Sequence, residues 1–103
     1  GHYRAIFETK EKVKLVLDKL EQDYDPVFIL TSDDEMGEIL RIAVQEYISK
    51  HGETNIRIIH NRKDIDKTNY NSPVLLHMNL NEDILKEYKD IPDVIIDNLA
   101  ERL

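Results

Sequence analysis

The sequence predicts an α/β fold, a three-layer sandwich built on a mainly parallel sheet of four to five strands. Three observations carry that expectation. The apolar run Val27, Phe28, Ile29 and Leu30 stops abruptly at Thr31, Ser32, Asp33, Asp34 and Glu35, and a helix-period pattern starts at once from Met36, which is how a strand feeds a helix. Two further apolar runs, 56–60 and 73–78, likewise end in polar residues. The 27–30 run is continuously apolar rather than alternating, as a strand covered on both faces must be, and the 56–60 run is mostly β-branched.

Taken in order, the run Tyr3, Arg4, Ala5, Ile6 and Phe7 reads as a short alternating strand over 3–7. Thr9 then suits the cap of a helix whose apolar positions are Val13, Val16, Leu17 and Leu20. The chain breaks at Asp23, Tyr24, Asp25 and Pro26 before the 27–30 strand, where proline is tolerated at the first position. The clearest element follows: Met36, Ile39, Leu40, Ala43, Val44, Tyr47 and Ile48 keep i, i+3, i+4 spacing and form one core stripe, and His51 with Gly52 supplies its stop. Residues 61–72 carry only Ile65 and Tyr70 as sizeable apolar side chains, so they read as a surface connection with at most one loose helical turn. Asn81 caps a helix bearing Ile84, Leu85 and Tyr88. Residues 92–103 admit two readings, a buried fourth strand at 94–96 followed by a short helix through Leu99 and Leu103, or one helix with Pro92 in its first turn. The strand reading is preferred.

At 103 residues and 41% hydrophobic content the chain supports one domain, 1–103, with one core. Gly1 and His2 stand where Met is expected and read as the remnant of a cleaved tag, so the domain can belong to a longer protein. The net charge of −7, with basic residues interspersed among acidic ones, argues against nucleic acid as partner and for another protein, a homo-oligomer included. With no cysteine there is no disulfide framework and no thiolate chemistry. No stretch is long and apolar enough for a membrane span and no signal-peptide pattern opens the chain, which leaves a soluble, cytoplasmic protein as the expectation.

Parallel strands gather their carboxyl ends along one edge, where ligands of such sheets bind. That edge would collect Thr31, Ser32, Asp33 and Asp34 from one strand, His60, Asn61 and Arg62 from the next, and His77 and Asn79 from the third. Two carboxylates near imidazoles suit a divalent metal or acid–base chemistry, with Asp33 and Asp34 as the metal ligands. A simpler account also covers the acidic cluster: Ser32 and Glu35 have capping-box spacing, and acids in a first turn complement the helix dipole. His77 at the end of an apolar strand reads equally well as a hydrogen-bonded structural histidine, and His60 has less to recommend it. Arg62, Lys63 and Lys67 form a small basic patch, either a solvated loop or a contact for an acidic partner.

The run from Phe28 to Glu35 resembles the first strand of bacterial response-regulator receiver domains, which ends in an acidic pair, and the run from Val74 to Leu80 resembles the third, which carries the phosphoacceptor aspartate. The interval of 44 residues between positions 33 and 77 matches, and residues 91–96 are similar to the family's fourth strand. The resemblance spans roughly residues 27–97 and implies a flavodoxin-like fold, with Asp33 and Asp34 as magnesium-binding acids. It also implies a loss of phosphorylation. His77 occupies the acceptor position, Asp97 or Asn98 the switch position, and no fifth strand with its lysine follows, although the 3–7 strand and its helix would supply one in permuted order. The expectation is a degenerate, receiver-like signalling or protein-interaction module that is not an enzyme, needs no cofactor, and presents an edge of Ser32, Asp33, Asp34, His60, Arg62, His77 and Asn79. Two alternatives stand beside it: a Mg2+-dependent phosphoryl-handling or hydrolytic domain using Asp33, Asp34 and His77, and an acidic decoy that occupies a basic groove.

Overall fold

The computed structural model describes residues 2–67 and 69–103. Its elements run α1 (His2–Asp23), β1 (Val27–Leu30), α2 (Glu35–His51), β2 (Ile56–Ile59), α3 (Arg62–Asp66), β3 (Val74–His77), α4 (Glu82–Leu85), a 3-10 turn Lys86–Tyr88, β4 (Ile95–Asn98) and a 3-10 turn Leu99–Arg102. The four strands pair in the order β2-β1-β3-β4 and every pairing is parallel. Register places Val27 beside both Ile56 and Val74, and Val74 beside Ile95.

Side chains alternate across this sheet and divide the core in two. Val27, Ile29, Val74 and Leu76 point to a layer made by α1 and α2, where they meet Val13, Leu17, Leu40, Val44 and Tyr47. Phe28, Leu30 and Leu75 point the other way, to Ile59, Ile65, Tyr88 and Ile91. The result is the expected three-layer α/β sandwich. Its second layer is thin, because α3 and α4 have only five and four residues.

The expected first strand is not there: residues 3–7 are the opening turns of α1. Tyr3 and Phe7 satisfy i, i+4 spacing as well as alternation, Arg4 pairs with Glu8 at 3.2 Å one turn on, and the Thr9 hydroxyl donates to the Ala5 carbonyl at 2.9 Å. Thr9 thus bonds back within a helix rather than starting one. A permuted fifth strand is excluded with it, yet α1 does lie beside α2. His2 meets Glu35 at 3.2 Å, Lys14 meets Glu46 at 2.7 Å and the Tyr47 hydroxyl donates to Glu21 at 3.0 Å, so the helices run parallel.

Three burial expectations also change. Ile65 is fully buried, since α3 is a well-capped helix rather than a loose turn. Met36, in the first turn of α2, is exposed. The fourth strand exists but begins at Ile95 and forms an edge, with no fifth strand among the described residues to cover it, and Ile95 is 53% exposed. Leu99 reaches the core from the closing 3-10 turn, whereas Leu103 stays exposed.

Candidate functional site

The crossover after β1 leads to β2 on one side, and the crossover after β3 leads to β4 on the other, so the connections diverge at the carboxyl ends of β1 and β3. Such a switch point is the ordinary ligand crevice of an open parallel sheet. The residues expected there do lie along this edge, but most are bound to their own backbone.

After β1, the Thr31 hydroxyl accepts from Arg41 at 3.0 Å. Asp34, not Ser32, is the N-cap of α2: its Oδ1 accepts from the Gly37 amide at 2.8 Å and from the Ser32 hydroxyl at 2.5 Å. Ser32 therefore braces the cap instead of forming it, and the Glu35 carboxylate pairs with His2 rather than reaching back. Ser32 lies against the first turn of the helix, where its carbonyl leaves no room for a Cβ at Gly37. The hydroxyl of Ser32, then the Gly37 amide, hold the Asp34 carboxyl below its usual range. The stability this adds is present above the ordinary carboxyl value of 3.8 and is lost as pH falls through the lower folded value. We expect Asp34→Ala to unfold at lower urea concentration than the parent at pH 7. Asp34→Asn, which keeps an acceptor oxygen, should retain most of the cap but lose that acid dependence; equal midpoints for all three chains would contradict the assignment. Asp33 is exposed and its carboxylate has no partner among the described residues.

After β2, His60 is exposed and donates its backbone amide to Asp64 Oδ2 at 2.8 Å, while the Asn61 amide reaches the same oxygen at 3.2 Å. Asn61 Oδ1 accepts from the Lys63 amide at 2.9 Å, completing a capping box on α3. Arg62 bridges to the Glu87 carbonyl at 3.1 Å and Asp90 at 2.5 Å, tying α3 to the turn before Ile91. Lys63 and Lys67 are exposed.

After β3, His77 is 4% exposed, and its Nδ1 accepts from the Leu80 amide at 3.1 Å. Burial lowers its pKa, opposed by the carboxylates that face it, Asp97, Glu82 and Glu101. Those acids come from β4, α4 and the closing turn; the charges the ring experiences are not those of Asp33 and Asp34. Asn79 adopts a left-handed backbone, φ 54°. Its amide donates to Asn98 Oδ1 at 3.1 Å while Asn98 Nδ2 donates to Asn79 Oδ1 at 2.9 Å. Asn98 also caps the closing turn through the Ala100 amide at 3.1 Å. This clasp between β3 and β4 was missed by sequence reasoning, and only the register that sets His77 beside Asn98 could have revealed it.

No family model, no curated protein and no solved structure matches the chain.

Among the described residues no group of three or more His, Asp or Glu side chains is arranged to hold a metal ion. The inner oxygen of Asp34 is already taken by the cap, and His77 faces other acids.

Proposed function

We propose that this protein is a non-enzymatic protein-interaction module of receiver-like design, which recognises a partner with the carboxyl edge of its sheet. The observation that supports this most is the use made of the edge's polar groups. Ser32, Asp34, Asn61, His77, Asn79 and Asn81 each engage in hydrogen bonds that fix the turns leaving the strands. Groups so engaged cannot move protons or bind a metal without dismantling a cap, but they hold a rigid surface on which exposed Asp33, His60 and Asn79 are displayed. A net charge of −7 favours a partner with a basic contact surface. Among the described residues no helix is long and apolar enough to cross a membrane. A cytoplasmic location belongs to the same proposal.

The test is capture of partners on the immobilised chain beside its Asp33→Ala and His77→Ala variants, then titration of the purified, identified partner into isotope-labelled protein. Amide shifts should concentrate at 31–35, 60–62 and 77–81, and Asp33→Ala should weaken the association several-fold, more so at low salt. A chain that captures nothing and instead turns over acetyl phosphate would overturn the proposal.

A further inference from the structure

We infer that His77 is the latch of the β3–α4 turn: a neutral imidazole keeps the turn closed, and a proton taken from solvent by Nδ1 opens it. The geometry carries the inference. The Leu80 amide hydrogen points at Nδ1 across 3.1 Å, and only an unprotonated Nδ1 has the lone pair to accept it. Once Nδ1 carries a proton, two N–H groups face each other in a site where the ring is 4% exposed. Water cannot readily mediate between them there.

The turn is built to respond as a unit. Leu80 lies between Asn79, held at φ 54° by its two bonds to Asn98, and Asn81, whose side chain accepts from Ile84 at 3.0 Å to cap α4. Displacing the Leu80 amide therefore loads both the β3–β4 clasp and the helix cap. The charged groups facing the ring are Asp97 on β4, Glu82 on α4 and Glu101 in the closing turn, and all three favour the imidazolium. Burial outweighs them, so the folded chain binds the proton more weakly than the unfolded one, whose histidine titrates near 6.5. The sign follows. Stability is complete above that value, falls as pH drops from 6.5 toward the folded value, and levels off beneath it. The consequence for recognition rests on the function proposed above, since the turn forms part of that edge, but the device itself can be read without a partner.

The experiment is an NMR titration of the whole chain from pH 7.5 to 4.5, following the His77 ring, the Leu80 amide and the Asn79 and Asn98 side-chain amides. The Leu80 amide should move and lose exchange protection with the midpoint of the His77 ring, below 6.5, while β1 amides stay fixed. In His77→Asn, Oδ1 takes the place of Nδ1 and accepts from Leu80 at every pH, so the step should vanish. The inference is overturned if Leu80 fails to track His77, if the step persists in His77→Asn, or if the whole sheet unfolds in the same step. Should that variant not fold, co-titration in the parent chain decides alone. A partner that binds equally across this range, with the latch observed, would count against the recognition edge rather than the latch.

Discussion

Gly37→Ala is expected to destabilise the protein by about 2–3 kcal/mol, although alanine is the better helix former by about 1 kcal/mol. Gly37 is the third residue of α2, and a Cβ there would lie 1.9 Å from the Ser32 carbonyl oxygen, 2.6 Å from its carbon and 2.7 Å from its hydroxyl. Two of those atoms are backbone, so no rotamer change relieves the overlap. The helix must tilt or the β1–α2 turn must open, and either movement breaks the Gly37 and Ser32 bonds to Asp34. For a domain of this size each kcal/mol corresponds to about 4–8 °C, so a fall in Tm of about 10–20 °C should be seen by circular dichroism. An unchanged or raised Tm would mean that β1 does not enter α2 by this tight turn. The same substitution should impair partner binding at neutral pH beyond what lost stability explains, because Asp33 and Asp34 sit on the displaced segment.

A second large effect is expected on α1. Leu17 is 0% exposed and lies in the cluster with Leu40, Val44 and Tyr47, whereas Leu15, two residues earlier, is 70% exposed. Leu17→Ala removes buried carbon and leaves a cavity between α1, α2 and the sheet, for a loss of about 2–5 kcal/mol. Leu15→Ala should change stability by no more than about 0.5 kcal/mol. Urea denaturation at constant m-value separates the two, and equal effects would show that α1 is not docked as described. The comparison matters because a loss at the upper end rivals the whole stability of many domains, about 5–15 kcal/mol. The N-terminal helix is thus a full layer of the fold and not an appendage.

The central elements were legible in the sequence because their signals are local. A continuous apolar run such as Val27–Leu30 next to a periodic helix such as Glu35–His51 needs no distant partner to be recognised. The start of the chain was misread for a local reason too. Tyr3 and Phe7 obey both periods, and the helix prevails because its hydrogen bonds close within the segment, while a strand at 3–7 would require a neighbour. The 94–96 strand was found, but its exposure was not, since an edge is defined by what fails to pair beyond it.

For the site the balance is different. Which residues line the carboxyl edge followed from strands and topology alone, but what each one does depended on atoms brought from elsewhere. Asp34 rather than Ser32 accepts the Gly37 amide, and Asn79 found Asn98 across 19 residues of sequence.

By itself the sequence determined the α/β class, the parallel strands, the central helix and the polar edge, since hydrophobic periodicity and turn chemistry are properties of consecutive residues. Only the tertiary structure decided that the described residues form four strands, that α1 completes a layer, and that the carboxylates acting on His77 are Asp97, Glu82 and Glu101 instead of the paired acids. Strand register and helix docking fix those outcomes, and both emerge from contacts between residues far apart in the chain.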